Sequence, residues 1–303
     1  MALVSFLVVV ALLAVVGLLY ARWQYGRIER VEVAVAPAGA GSDVWMLVGS
    51  DSREGIDPDR PDAAALLGEP VAGQRADSII LVRDIPGAGP QMLSLPRDLW
   101  FDPPGDGNAT RINGAYARGP DALLDLVRRE LGISVQHYVE IDLAGLDRVI
   151  DAVGGVTVEL ANPGYDESLG LFLDEAGPVR LDGITGLAYV RSRHWVDVID
   201  GVPVADGRGD LGRVERQQAF LASLGGELLS TRNPMRMHRV LGGLTGAVRV
   251  DPQSGFRELY SFARDLQGAT PAPALPVVDH VTGAGAYVLL LGSGADEVLD
   301  LYR

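Results

Sequence analysis

Short apolar runs of strand length alternate with longer segments of helical periodicity, and this alternation limits the fold more than any other feature of the chain. Strands are predicted for DVWMLVGSDSR, which ends in a loop, DSIILVRDI (77–85), QMLSLPRDLW (91–100), HYVEIDL, VTVEL and YVLLL. Helices are predicted for PDALLDLVRRELG (120–132), AGLDRVIDAVGG, LDGITGLAYVRSR (181–193), GDLGRVERQQAFLASLGGELL, RELYSFARDL and DEVLDLY. This order favours an α/β fold, an α-β-α layered domain in which helices cover both faces of a central mixed sheet.

The N-terminal segment differs from the rest of the chain in composition. Residues 2–20 carry no charged side chain, and about 20 such residues span a bilayer as a helix. Arg22, Trp23 and Tyr25 follow at once, as in the belt at a membrane interface. A cleaved signal peptide usually has a shorter apolar region and a small-residue cleavage site, which LLYARWQY lacks. One uncleaved transmembrane helix is therefore predicted before the α/β domain.

These features divide the chain into three parts. We predict a transmembrane anchor at 1–21, a juxtamembrane segment and linker at 22–43, and a main domain at 44–303, which residues 226–303 complete. The positive-inside rule would place Arg22, Arg27 and Arg30, and the main domain with them, in the cytoplasm. Charge alone therefore points away from an external domain.

Composition excludes several classes of function. The formal net charge is −14, which disfavours general nucleic-acid binding, because phosphate neutralisation drives that affinity. The absence of cysteine excludes disulfides, thiol catalysis and cysteine-based zinc sites. Neither a phosphate-binding P-loop nor a G-x-S-x-G nucleophile elbow is present. All 26 basic residues are arginine. The use of Arg instead of Lys at a given position is therefore uninformative, and only the positions of the arginines can indicate a binding site.

Acidic and basic residues recur together at the predicted strand ends. The loops GSDSR, RADS, LPRD and TRING contain Asp51 with Arg53, Arg75 with Asp77, Arg97 with Asp98, and Arg111 with Asn113. Sites in open α/β sheets form at strand ends, and carboxylates beside arginines suit a hard divalent cation next to a phosphate. The alternative for each is an ordinary turn residue or a weak surface ion pair.

A second basic group lies in YVRSRHW (189–195) and GDLGRVERQQ (209–218). These segments contain Arg191, Arg193, Arg213 and Arg216 together with Asp210 and Gln217. The spacing places Arg213 and Gln217 on one helix face, with Asp210 as a plausible N-cap. A solvated helix face is the alternative.

Taken in order, these stretches resemble the LytR-CpsA-Psr family over about residues 44–225, through VGSDSR, RADSIILV, LSLPRDLW, RINGAYA, HYVEIDLAGLDRVIDAVGGV, LDGITGLAYVRSRHW and GDLGRVERQQAFL. The resemblance implies a bacterial protein anchored in the cell membrane by a single span, with an extracytoplasmic catalytic domain. It implies an Mg-dependent phosphotransferase that moves a glycopolymer from a polyprenyl-pyrophosphate carrier to peptidoglycan. The abundance of Ala, Gly, Val and Arg is typical of a GC-rich genome such as that of an actinomycete, and for an actinomycete the resemblance implies arabinogalactan as the expected cargo.

The resemblance also assigns roles to residues. It implies that Asp51 and Asp77 hold Mg²⁺. It places Asp77, Arg75, Arg193 and Asp210 in catalysis, with Asp210 either the base or an orienting partner of Arg193 or Arg213. The residues implied to bind pyrophosphate are Arg53, Arg75, Arg97, Arg111, Arg191, Arg193, Arg213 and Gln217.

Two further expectations concern the surroundings of the site, and two alternative functions stay open. The segment between Arg193 and Asp210 looks longer than is usual in the family and is expected to form a lid or lip on the site. The lipid tail requires an apolar channel, which the stripes on 120–131 and 211–228 could line if they are not plain core.

A non-catalytic binding protein for lipid-linked glycans is the alternative function. A transcriptional attenuator is opposed by the anchor, the acidity and the lack of a helix-turn-helix pattern.

Overall fold

Strands and helices alternate along the chain as the sequence predicted. The computed structural model describes residues 20–39, 42–50, 76–102, 109–230 and 233–303. The strands are β1 (Glu29–Arg30), β2 (Trp45–Ser50), β3 (Ala76–Ile85), β4 (Gly89–Ser94), β5 (Trp100–Phe101), β6 (Thr110–Arg111), β7 (His137–Asp142), β8 (Val156–Leu160), β9 (Gly164–Asp166), β10 (Leu171–Leu173), β11 (Gly177–Leu181), β12 (Val196–Ile199), β13 (Val202–Ala205), β14 (Val248–Val250), β15 (Thr270–Pro271), β16 (Val277–Val281) and β17 (Tyr287–Leu291). The helices are α1 (Ile112–Tyr116), α2 (Pro120–Leu131), α3 (Leu143–Ala152), α4 (Gly183–Arg191), α5 (Asp210–Leu229), α6 (Pro234–Leu244), α7 (Phe256–Gly268) and α8 (Ala295–Leu299).

A seven-stranded mixed sheet forms the centre of the domain, in the order β1-β14-β7-β2-β3-β4-β15. β2 pairs with β7 in parallel, and β2, β3 and β4 pair with one another in antiparallel register. The predicted mixed sheet is therefore confirmed. A smaller four-stranded sheet, β10-β9-β12-β13, includes two strands, β12 and β13, from the segment between α4 and α5.

Helices cover both faces of the central sheet. Side chains alternate between the two faces along each strand, so each face contributes to its own apolar core. On β2, Trp45 and Leu47 belong to the core that α3, α4, α5, α6 and α7 build, whereas Met46 and Val48 face the core of α1, α2 and α8. This arrangement confirms the three-layer α-β-α prediction. It also places α2 and α5 on opposite sides of the sheet.

Glycine and proline set the ends of the helices near the sheet. α2 begins at Pro120 and ends before Gly132, whose φ of 71° is left-handed and costs glycine little. The Asp142 side chain caps α3 by accepting a hydrogen bond from the Gly145 amide. A Cβ at Gly145 would lie 2.2 Å from the Ala247 carbonyl oxygen, so this position requires glycine for close packing.

Several local predictions were wrong. Asp210 is the first residue of α5, and Gly209 occupies the N-cap. Leu211 is 58% exposed, because the first turn of α5 extends beyond the apolar core, and it therefore leaves the predicted stripe. The run at 91–100 splits into β4 and β5, since Pro96 lies in the intervening turn and cannot donate to a sheet ladder.

The proposed transmembrane segment falls almost entirely outside the described residues. Residues 20–25 are helical. Within the part of the chain that the structure describes, no helix has the length and apolar character needed to cross a bilayer.

Candidate active site

The carboxylate of Asp77 and the guanidinium of Arg97 meet at one end of the central sheet. Asp77 is the second residue of β3, and Arg97 follows β4, so the antiparallel pairing of these strands brings the two residues together. The Arg97 Nη1 atom lies 2.8 Å from Asp77 Oδ1. The Asp77 side chain is 49% exposed, which leaves its other carboxylate oxygen accessible to a ligand.

Asp98 connects Arg97 to Arg111. Its Oδ2 atom lies 3.5 Å from Arg97 Nε, and its Oδ1 atom lies 3.3 Å from Arg111 Nε. Arg111 also donates through Nη2 to the Tyr287 carbonyl oxygen, over 2.7 Å. Arg111 is therefore held by the fold at the edge of the site.

Arg213 brings a buried positive charge to this end of the sheet. It is 5% exposed, and its Nη2 atom lies 2.7 Å from Asp210 Oδ1, one helical turn earlier. Burial lowers the pKa of Arg213; the Asp210 charge opposes this, and the charges of Arg193 and Arg97 add to it. We call Arg97, Arg193 and Arg213 the arginine cluster. Their mutual repulsion makes the site favourable for an anion of high charge density.

A rigid turn after α4 presents Arg193. The Asp166 carboxylate accepts a 2.7 Å hydrogen bond from Ser192 Oγ and a 3.1 Å bond from the His194 amide. Burial acts to raise the pKa of Asp166, but these bonds and those from Ser168 lower it overall. Arg193 itself is exposed and forms no ion pair with any described carboxylate, so its guanidinium is accessible to an anionic ligand.

Gln217 lies beneath the arginine cluster, one turn after Arg213 in α5. Its Nε2 atom donates to the Val190 carbonyl oxygen over 2.9 Å, and its Oε1 atom accepts from Ser78 Oγ at 3.3 Å. These bonds join α5 to α4 and β3. Gln217 and Ser78 also line the inner end of a cavity.

That cavity is an apolar channel of about 800 Å³ between the sheet and the helices α3, α5, α6 and α7. On α5 its wall extends from Gln217 to Leu229, a distance of about 18 Å at the helical rise. Its walls include Ile80, Val139, Phe220, Leu221, Leu224 and Phe262. The predicted stripe on 211–228 therefore contributes to a channel, whereas the stripe on 120–131 packs as plain core on the other face of the sheet.

Arg216, also in this basic group, has a structural position. Its Nη1 atom lies 2.9 Å from Asp206 Oδ2, its Nη2 atom donates to the Ser192 carbonyl oxygen, and its guanidinium lies over the Trp195 ring. Burial acts to raise the pKa of Asp206, but hydrogen bonds from Arg208 and Arg216 lower it to about 2. Arg216 therefore anchors the β12–β13 hairpin to α5.

The profile of the LytR_cpsA_psr family matches residues 25–289 of the chain. The chain belongs to the LytR-CpsA-Psr family. The match covers the arginine cluster and most of the channel lining, and it extends beyond the sequence motifs into α7, β16 and β17.

Curated proteins and solved structures agree with this family. The chain is 32% identical over 266 residues to a probable cell wall biosynthesis protein, LcpB, from Corynebacterium glutamicum, covering 84% of this chain and 60% of that protein. It is 31% identical over 183 residues to a polyisoprenyl-teichoic acid–peptidoglycan teichoic acid transferase, TagU, from Enterococcus faecalis, covering 59% of this chain and 54% of that protein. A LytR-Csp2A-Psr enzyme from Actinomyces oris has a similar structure, with a TM-score of 0.66, 26% identity, and coverage of 91% and 96% of the two chains. The chain thus spans little more than half the length of these two curated relatives.

Part of the predicted family site lies outside the described residues. This applies to Asp51, Arg53 and Arg75. Of the predicted Mg²⁺ ligands, the structure describes Asp77, whose half-exposed carboxylate is the oxygen donor that Mg²⁺ prefers. Among the described residues no group of three or more His, Cys, Asp or Glu side chains forms a metal site. The assignment of Mg²⁺ to Asp51 and Asp77 stays a prediction.

The structure brings some of the described residues of the predicted LytR-CpsA-Psr site into contact and leaves others at its edge. Asp77, Arg97, Arg193, Arg213 and Asp210 interact at the end of the sheet. Arg111 lies at the edge, bonded to Tyr287, and Arg191 is the last residue of α4. The contact between Asp210 and Arg213 matches the orienting alternative for Asp210.

Sequence reasoning missed the residues that hold the family's arginines in place. Asp166 and Asp206 fix the turn and the hairpin, yet each lies ten or more residues from a partner it holds. Asp98, by contrast, was among the candidates, since it follows Arg97 in LPRD at a predicted strand end. The sequence contains no comparable signal for Asp166, because nothing near it indicates that it contacts Ser192 and His194.

Proposed function

We propose that this protein is an Mg-dependent phosphotransferase at the outer face of the cell membrane. It transfers a glycopolymer from a polyprenyl-pyrophosphate carrier to peptidoglycan. One observation carries the proposal: the arginine cluster and the apolar channel share a boundary at Ser78 and Gln217. A ligand that fills both must combine a long hydrocarbon chain with a concentrated negative charge.

The two parts of the donor match the two parts of the site. The channel volume of about 800 Å³ is within the range of cavities that bury most of a hydrophobic ligand. Arginine forks bind phosphate oxygens in pairs, and the buried Arg213 adds a charge that solvent screens weakly. With the prenyl tail beside Leu221 and Leu224, the pyrophosphate would lie next to Arg213.

The reaction is a phosphoryl transfer between two oxygens. A sugar hydroxyl of peptidoglycan attacks the phosphorus that bears the glycopolymer, and a new P–O bond forms. The phosphoanhydride bond breaks, and polyprenyl phosphate leaves with the electron pair. The hydroxyl proton passes to a base, for which Asp210 is the candidate, although its ion pair with Arg213 also suits an orienting role.

Fixed positive charge is the main catalytic contribution expected of this chain. Charge accumulates on the transferred and leaving phosphates, and preorganised cations stabilise it. Arg97 and Arg193 would contact the oxygens from the exposed side, and Arg213 from the buried side. Bound by Asp51 and Asp77, Mg²⁺ would polarise the phosphate oxygens.

The names of relatives support the same reaction class. The Enterococcus faecalis relative is a peptidoglycan teichoic acid transferase, and the Corynebacterium glutamicum relative is a probable cell wall biosynthesis protein. The arginine cluster and the channel are the features of this chain that such a reaction requires. The identity of the glycopolymer, with arabinogalactan as one expectation, belongs to the same proposal.

The test is direct transfer by the full chain in detergent, with a polyprenyl-pyrophosphate sugar, Mg²⁺ and a peptidoglycan fragment. Mass spectrometry should detect the phosphosugar on the fragment. The variant Asp77→Asn keeps the side-chain volume and should lose transfer. Asp125→Asn is the matched control, since Asp125 pairs with Arg128 on the surface of α2, which packs on the other face of the sheet from the channel.

The alternative is a protein that binds lipid-linked glycans without turnover. Intact donor after incubation, together with tight binding that requires Arg213, would favour this alternative. Transfer by the parent chain and not by Asp77→Asn would exclude it.

A further inference from the structure

The outer end of the apolar channel opens within a surface unlike the rest of this acidic molecule. Four large apolar side chains are exposed on the segments around this opening: Trp23 (57%), Met235 (72%), Met237 (39%) and Tyr260 (59%), of which Met237 and Tyr260 line the channel. Arg22 and Arg239 are exposed among them. We call these six residues the mouth patch. We propose that the mouth patch rests on a bilayer containing anionic lipids, so that the channel opens directly into the hydrocarbon.

The mouth of the channel lies near the C-terminal end of α5. Along α5 the channel wall ends at Leu228 and Leu229, about 18 Å from Gln217. Met237 and Tyr260 line the same channel while remaining largely exposed. The channel is therefore open to the surface at the end opposite the arginine cluster.

Two segments distant in sequence build the patch together. The Tyr20 hydroxyl contacts His238 Nδ1, and the two rings lie 5.7 Å apart. The Tyr20 and Trp23 rings lie 5.9 Å apart, and the Arg27 guanidinium stacks over Trp23 at 5.0 Å. These contacts hold the helical segment 20–25 against α6, which brings Trp23 to the region of the surface where the exposed side chains of α6 lie.

Charge identifies the occupant as an anionic lipid surface. In a chain with 40 acidic residues, none precedes Glu29, and none lies between Glu227 and Asp251. Glu227 is paired with Arg236. A patch of Met, Trp and Tyr rimmed by arginines binds the interface of a membrane with anionic headgroups. A second copy of the chain would bring the same positive charges together.

The position along the chain supports the same occupant. The uncharged residues 2–20 run directly into the helical segment that carries Arg22 and Trp23. This inference rests on the proposed function, because it supplies the route by which a prenyl donor would enter the channel from the bilayer. The tail could then slide into the channel without crossing water.

Single-cysteine labelling tests the patch, because the chain has no cysteine of its own. The full chain carries Met235→Cys with a nitroxide label, in nanodiscs of phosphatidylglycerol and phosphatidylcholine. The matched control is Val202→Cys, an apolar position that is 60% exposed on the β12–β13 hairpin. We expect several-fold lower access of a water-soluble nickel relaxant, and higher access of oxygen, at position 235 than at position 202.

Three outcomes are decisive. Equal nickel access at the two positions would overturn the inference. Dipolar broadening between labels on two chains would also overturn it, in favour of a contact between copies. Arg22→Glu with Arg239→Glu should restore nickel access at position 235 in the anionic discs, and no change would refute the electrostatic argument. Nickel access at position 235 is measured without any transfer reaction. If the mouth patch lies in lipid but the chain shows no transfer activity, the result counts against the proposed function and not against this inference.

Discussion

Replacing Arg213 with methionine should strongly reduce the rate of transfer and yet stabilise the fold. Burial and the neighbouring positive charges lower the pKa of Arg213. A basic group with a lowered pKa is less stable charged in the folded chain than in the unfolded chain, so at neutral pH its charge destabilises the fold. Its Nε atom is buried without a hydrogen-bond partner among the described residues. Its partner Asp210 is 59% exposed and would be hydrated when left alone.

The magnitudes follow from these contacts. Loss of one preorganised cation from a phosphoryl-transfer site should reduce kcat by roughly 10²- to 10³-fold. Removal of an electrostatically unfavourable buried charge should increase the free energy of unfolding by about 1 kcal/mol. Methionine fills a similar volume without a charge, so cavity formation should contribute little.

Arg216 is the matched control, because it is a second buried arginine of α5, three residues later. Its charge is paired with Asp206, whose side chain is 4% exposed. Arg216→Met should therefore decrease the free energy of unfolding by about 3 kcal/mol, since it leaves a buried carboxylate short of a partner.

Both variants can be measured in one set of experiments on the full chain in detergent micelles. Chemical denaturation gives the free energy of unfolding, and the mass-spectrometric assay gives transfer. The reasoning is refuted if Arg213→Met is as destabilising as Arg216→Met, or if Arg213→Met retains parental turnover.

Three further predictions follow from other contacts. Because the pKa of Asp206 is lowered from 3.8 to about 2, its ion pairs should contribute about 2 kcal/mol of stability above pH 4; denaturation midpoints should fall between pH 4 and pH 2, and to a smaller extent in Asp206→Asn. Leu221→Trp should obstruct the channel and raise KM for long prenyl donors but not for short ones; equal KM changes would contradict a tail site there. Gly145→Ala should decrease the free energy of unfolding by about 2 kcal/mol, because the new Cβ would lie 2.2 Å from the Ala247 carbonyl oxygen; an unchanged denaturation midpoint would show that this contact relaxes freely.

Much of the fold could be predicted from local sequence. β3 was predicted at 77–85 and is observed at Ala76–Ile85, and α2 was predicted at 120–132 and is observed at Pro120–Leu131. These segments have strong periodicity, and glycine or proline marks the ends of α2. The β12–β13 hairpin was not predicted, because its short exposed strands lack that periodicity. α6 was not predicted either, although Met237, Val240, Leu241 and Leu244 follow helical spacing.

The sequence predicted which residues form the candidate site but not the contacts that hold them in place. The motif order indicated Asp77, Arg97, Arg193 and Arg213, because charged residues at strand ends and in the family's motifs are visible in the sequence. The sequence did not reveal Asp166, which fixes the turn that presents Arg193 through Ser192 and His194. Contacts over more than 20 residues depend on how the strands pair.

The sequence by itself determined the layered α/β fold, the family and the identity of the charged groups. Only the tertiary structure decided that Arg213 faces the site while Arg216, one turn later, anchors a hairpin. It also decided that the stripe on α5 lines a channel while the stripe on α2 is core. The physical reason is that periodicity reports which face of a helix is apolar, whereas burial and pairing depend on what the rest of the chain places against that face.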